Sequence, residues 1–298
     1  LLSGRLLDRP ATPLAARLGG SAPRVAQLPT EVLADDPGTP GPFAVVSSDY
    51  SLDPVKLAGM PEPIEMVGHV VEPDPAAVTG PRPLVLLMHG RHEYCYTDAG
   101  GEVDTYTWPC VAPAKEIPSH LGYDYIQRLL ASQGFATVSV RVNGINAQDY
   151  RLPDGGAGAR ASVVVAHLEH WRTLAAGHQV DLDQVVLVGH SRGGEGVDRA
   201  SIRIPAGAPY RIAGQVLLAP TDFANQAAPY VPTVTVLPYC DGDVYDLQGQ
   251  KFTDMARDLT TDDTSLKSSV LVMGANHNFF NTEWTPGVAE APAWDDWG

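Results

Sequence analysis

The sequence predicts an α/β fold: a mostly parallel central sheet flanked by helices, with an antiparallel hairpin ahead of it. Three observations carry this expectation. Short uninterrupted apolar runs, such as Leu84-Val85-Leu86-Leu87-Met88 and Val185-Val186-Leu187-Val188, suit strands buried on both faces. These runs alternate with segments of helical spacing across short connections, the order that builds a parallel sheet covered on both sides. The run at 185–188 stops at a glycine and passes through His-Ser-Arg into a stretch that reads as helix, a strand–turn–helix transition.

Taken in order, residues 1–42 are rich in Pro, Gly and Ala and read as an irregular N-terminal arm, with 43–298 as one α/β domain. Segments 43–48 and 64–71 look like strands of a hairpin, parted by Pro54, Pro61 and Pro63. Prolines 73, 75, 81 and 83 then mark a loop before the strand at 84–88. Residues 123–132 place Tyr125, Ile126, Leu129 and Leu130 at helical spacing and stop at Gly134. A strand is expected over 135–142 and a helix over 159–176, which Gly177 ends. After the strand at 185–188 comes a helix over 197–201, then strands at 212–218, 233–237 and 269–273, with a helix over 247–259. No closing helix is legible after Phe280; the tail reads as irregular, or as truncated from something longer.

Composition narrows the function classes. Of 298 residues, 44% are hydrophobic and 18% charged, as in a packed globular protein. A net charge of −15 argues against nucleic acid as partner, since phosphate backbones reward clusters of Lys and Arg. No apolar run approaches the roughly 18 residues of a membrane span. Cys95 and Cys110 lie in one loop, where a bridge would be worth about 3 kcal/mol by chain entropy and would imply an oxidising, extracytoplasmic compartment; two reduced thiols are the other reading. Cys240 stands apart. Leu1 to Arg5 lack the basic start and apolar core of a signal peptide, and without an initiator methionine the chain reads as mature or trimmed.

The chemistry centres on Gly189-His190-Ser191-Arg192-Gly193-Gly194. In Gly-x-Ser-x-Gly a sharp turn lifts a serine hydroxyl above the sheet, and the glycines leave room for it. Ser191 is therefore the candidate nucleophile. A hydroxyl needs a base to take its proton and a third group to orient that base. His277, just past the last strand, is the candidate base. The acid should lie between them in sequence, in Tyr239-Cys240-Asp241-Gly242-Asp243-Val244-Tyr245-Asp246: Asp243 is favoured over Asp241, with Asp246 and Asp222 behind. A calcium loop is the competing reading of that cluster, but it lacks the regular ligand spacing and closing Glu of an EF-hand. No metal is expected. The oxyanion of a tetrahedral intermediate needs two backbone N–H donors, which Arg192 and, after His89-Gly90, Arg91 would supply.

These residues resemble the α/β-hydrolase superfamily of serine esterases from about Leu84 to Phe280. The Gly-His-Ser-x-Gly-Gly stretch and His89-Gly90 are similar to those of chlorophyllases, platelet-activating-factor acetylhydrolases and cutinase-like polyester hydrolases. The resemblance implies a carboxylic-ester hydrolase that needs no cofactor and acts on an ester with an apolar part. Two departures, Arg192 where the polyester hydrolases usually carry Met and a long insertion over 91–121, bear on the substrate. Tyr94, Tyr96 and Trp108, with His92 and Tyr106, fall in that insertion; they either wall a substrate pocket or pack the loop. Arg192 and Glu195 are spaced for a local pair. Asn143, Asn146 and Asp149 fall at the same sheet edge and either shape the site or cap the next segment. An acyltransferase with the same triad, or a non-catalytic binding domain on a hydrolase scaffold, are the alternatives.

Overall fold

The computed structural model describes residues 36–97, 101–102 (backbone only) and 107–293. All elements lie within Gly38–Gly298, and most of the expected N-terminal arm falls outside the described residues.

The chain enters through β1 (Val45–Val55) and β2 (Ile64–Pro73), an antiparallel pair with register Val45↔Pro73 to Val55↔Ile64. β1 runs beyond the expected 43–48 because it is an edge strand, where Pro54 costs no ladder bond; the register shifts between Leu52 and Val55 around it. β3 (Arg82–Met88) follows, then β4 (Cys95–Thr97), β5 (Gly101–Glu102) and β6 (Lys115–Glu116), which form a small separate sheet inside the insertion. Next come α1 (Asp124–Ser132), β7 (Ala136–Val140), one turn of helix α2 (Asn143–Asn146) and α3 (Ala157–Leu174). β8 (Val180–His190) leads into α4 (Arg192–Arg203); β9 (Ile212–Leu218), β10 (Thr233–Pro238), α5 (Gln250–Leu259) and β11 (Lys267–Val272) complete the elements that organise the fold.

The main sheet has eight strands in the order β1-β2-β7-β3-β8-β9-β10-β11, antiparallel as far as β7 and parallel from there on. Side chains alternate along β3 and so divide between two layers. Leu84, Leu86 and Met88 join the large core with Val163, Val164 and Trp171 of α3, Val197 and Ala200 of α4, and Phe252 and Ala256 of α5. Val85 and Leu87 face the other way, onto Tyr123, Ile126 and Leu130.

This order places the site. From β3 the chain crosses to β7 on one side and then to β8 on the other, so the carboxyl ends of β3 and β8 lie side by side where the winding reverses. Ligand sites of open α/β sheets gather at such a point. The register Met88↔Gly189 sets His89-Gly90 directly beside His190-Ser191.

Candidate active site

Ser191 sits between β8 and α4 with φ 56° and ψ −126°, left-handed backbone that a non-glycine residue rarely adopts. The turn closes through the Gly194 N–H to the Ser191 carbonyl (2.9 Å) and the Ser191 N–H to the Leu218 carbonyl (2.8 Å). Glycine is required where backbones touch: a Cβ at Gly189 would collide with the Gly193 carbonyl, and one at Gly90 with the Ser191 side chain.

That contact at Gly90 brings the Gly90–Arg91 peptide against the serine. Two donors fix its orientation: His89 Nδ1–H (2.9 Å) and Asn146 Nδ2–H (3.1 Å) both reach the Gly90 carbonyl. His89 Nε2 accepts the Val142 N–H at 3.0 Å, which assigns the ring proton to Nδ1. Burial holds this imidazole well below its usual pKa, so it stays neutral. Because a trans peptide is planar, the Arg91 N–H points opposite to the clamped Gly90 carbonyl. Arg192 opens α4 on the other side of Ser191, where a helix presents unpaired N–H groups.

His277 follows β11 and is buried, as is Asp241. Its Nδ1 lies 3.0 Å from Asp241 Oδ2. Asp241 Oδ1 accepts the N–H groups of Asp243 (3.1 Å) and Val244 (2.6 Å), so a local turn fixes the carboxylate before the histidine arrives. Asp243, the residue favoured from sequence, is displaced from that position: its half-exposed carboxylate lies 3.3 Å from the opposite ring nitrogen, Nε2. The acid orienting Nδ1 is thus Asp241. Asp246 turns to Gln248, and Asp222 accepts the Gln226 N–H. Among the described residues no group of three or more His, Cys, Asp or Glu is arranged to hold a metal ion.

Sequence reasoning missed the residue that joins the two halves. His190 is fully buried; its Nε2–H donates to the His277 carbonyl (2.9 Å) while Nδ1 accepts the Tyr123 hydroxyl (2.9 Å). Burial keeps it neutral as well. The ring centroids of His190 and His277 are 5.1 Å apart, and the buried Trp284 packs at 4.8 Å from His190 and 5.3 Å from His92. Trp284 belongs to the tail after Phe280, which is irregular yet anchored: its Nε1–H reaches Ser119 Oγ, and Asn281 Nδ2 reaches the Ser119 carbonyl. No sequence signal marks these contacts, since a histidine inside the serine motif and a tryptophan in an irregular tail carry no periodicity.

Other expectations resolve differently. Cys95 and Cys110 are bridged. Tyr94 and Trp108 are buried with that bridge and Ala147, their rings edge-to-face at 6.1 Å, and Trp108 donates to the Pro63 carbonyl. They pack the insertion onto the domain in a small core that includes Ala147. Tyr96 donates to Glu290 (2.7 Å) and ties the insertion to the tail; Tyr106 lies outside the described residues. Arg192 does not pair with Glu195, which is buried and accepts from Thr221 Oγ1 and the Ala224 N–H. The Arg192 side chain instead reaches Asp149 (3.0 Å) and lies over the Phe223 ring at 5.2 Å.

The chain matches no protein-family model and no curated protein.

Proposed function

We propose that the protein is a serine carboxylic-ester hydrolase of α/β-hydrolase type. One observation carries the reading: a strained strand-to-helix serine at the reversal of the sheet's winding is linked, through His190, to a buried histidine–carboxylate pair. Ser191 Oγ attacks the ester carbonyl as His277 Nε2 takes its proton. Asp241, accepting the Nδ1–H, holds the tautomer that leaves Nε2 basic and stabilises the imidazolium. The oxyanion accepts from the N–H groups of Arg91 and Arg192. Collapse breaks the bond to the alcohol oxygen, to which His277 returns the proton. Water then enters, loses a proton to His277 and attacks the acyl carbon; the bond to Ser191 Oγ breaks, the acid leaves and His277 returns the proton to Oγ. No cofactor is needed for these steps.

Exposed Phe223 beside Arg192 and Phe279 two residues after His277 supply apolar surface, which suits an ester with an apolar acyl or alcohol part. The Cys95–Cys110 bridge supports an extracytoplasmic setting, and no helix among the described residues is long and apolar enough to cross a membrane. A fluorophosphonate probe should label Ser191, and Ser191→Ala should lose both labelling and hydrolysis of short p-nitrophenyl esters. A labelled or active alanine variant would reject the assignment.

A further inference from the structure

Both residues whose N–H groups the esterase reading assigns to the oxyanion send their side chains to the same buried carboxylate. Asp149 is fully buried. Its Oδ2 accepts from Arg192 Nη1 (3.0 Å) and Arg160 Nη2 (3.0 Å), and its Oδ1 lies 3.4 Å from Arg91 Nε. Arg160 is itself fully buried, and its Nη2 also donates to Asn146 Oδ1 at 2.7 Å. Asn146 in turn donates to the Gly90 carbonyl, the other end of the Arg91 peptide. Arg160 Nη1 and Arg192 Nη1 both reach the Gly155 carbonyl, at 2.9 and 3.3 Å. A continuous chain of contacts therefore runs Gly90–Asn146–Arg160–Asp149–Arg192, closed at its open side by Arg91.

We infer that Asp149 and Arg160 form a rigid frame that sets the spacing of the two oxyanion N–H groups, Asp149 acting as a positioning residue through the arginines on either side. The inference rests on the esterase reading of Ser191. Burying a carboxylate costs several kcal/mol unless it is paired, and a fold meets that cost readily only where the pair is multiply bonded. Here one carboxylate meets three guanidiniums, which fixes their backbones more tightly than any one pair would. The frame sets three guanidiniums against one carboxylate, so its field also favours negative charge developing beside Ser191. Neither Asp149, Arg160 nor Asn146 touches the reacting atoms. Their effect is confined to how well the N–H groups fit an oxyanion.

The test compares wild type, Asp149→Asn, Asn146→Ala and the double variant, on a short p-nitrophenyl ester and on a trifluoromethyl ketone, which adds to an active serine as a tetrahedral oxyanion. Each single variant should lower kcat about 10- to 100-fold, less than the loss of an oxyanion donor outright, with KM within about threefold. The ketone inhibition constant should rise by the same factor as kcat falls, and the double variant should lose little more than the worse single one, because both act on one frame. Lowered melting temperatures with kcat and ketone affinity unchanged would assign these residues to stability alone and overturn the inference. If Asp149→Asn does not fold, Arg91→Gln, which alters a half-exposed side chain, takes its place under the same criteria. A wild-type chain that neither labels with fluorophosphonate nor cleaves esters would overturn the esterase reading itself; an active wild type with unaffected variants overturns only the frame.

Discussion

The strands beneath the two halves of the candidate site are built on opposite principles. Ser191 and the Gly90–Arg91 peptide extend from β8 and β3, strands whose neighbours on both sides are paired; in β3 every side chain from Leu84 to Met88 is buried. His277 and Asp241 extend from β11 and β10, at the sheet's far edge, where Val234, Val270 and Val272 on one face stay open to solvent. The strands on the serine side are held by packing, and the loops that leave them by the contacts through Asn146, Arg160 and Asp149. The histidine side is held by hydrogen bonds: Asp241 by its own turn, His277 by Asp241 and His190, and the following tail by Ser119 and Gly122. Packing is non-directional and tolerant, whereas hydrogen bonds specify one geometry. A fold can thus place a loop accurately on an edge strand without burying that strand.

The largest effects should come from the hydrogen-bonded half. Asp241→Asn should lower kcat by about 10⁴-fold, the loss that follows when the orienting acid no longer holds the histidine tautomer, while Asp243→Asn stays within a few-fold. The reverse ranking in steady-state kinetics would return Asp243 to the role favoured from sequence. Stability should show the opposite asymmetry. Leu86→Ala, in the fully buried centre, should cost about 2–5 kcal/mol in urea unfolding. Val270→Ala, about half exposed, should cost about 0.5 kcal/mol or less. Equal losses would mean that the edge face is covered in solution.

His190 crosses the boundary between the halves, and its replacement should fall between these extremes. His190→Leu removes the donor to the His277 carbonyl and leaves the Tyr123 hydroxyl buried without its acceptor. We expect kcat to fall about 10- to 100-fold, the scale of a misplaced catalytic group, with His190→Gln recovering part of the loss because its amide can donate. A leucine variant with full activity would show that Asp241 alone positions His277.

How much of this was legible in the sequence follows the same division. The buried parallel strands announced themselves, because a strand covered on both faces must be continuously apolar, and the turn at Ser191 announced itself through its glycines. His277 stands out by its place after the last strand, and it pairs with Asp241. The choice between Asp241 and Asp243 was not legible, since it depends on which carboxylate the turn's N–H groups capture. Arg160 was hidden in the same way: a charged residue in a helical segment reads as a solvated face unless its partners, Asn146 and Asp149, are known to converge on it. Residues acting through periodicity or strain leave a local trace. Residues acting through long-range polar contacts leave none.

A last comparison tests the packed half by acid. His89, His120, His167 and His190 are buried neutral, and burial lowers their pKa values, to about 3 for His120 and His167. Unfolded histidine titrates near 6.5. As pH falls below that value the unfolded chain takes up protons that the folded chain refuses, and stability declines down to the folded pKa. Glu65 and Asp198 oppose this: burial raises both to about 7, so the folded form holds a proton that the unfolded form releases, and each adds stability as pH falls from about 7 to its ordinary carboxylate value. That decline is opposed as well by Glu195, Asp222 and Glu283, whose carboxyls burial also raises, so the histidine part is read as a difference between wild type and variant. His167 Nδ1 lies 2.7 Å from the Tyr50 hydroxyl, with His170 near it, and the residue lies away from the site. His167→Gln should therefore flatten that decline by about 1.4 kcal/mol per pH unit, the slope one proton contributes, with kcat at neutral pH unaltered. An unchanged slope in urea unfolding across that range would mean that the imidazole is already protonated in the folded protein, and that the packed half admits water where it is most closed.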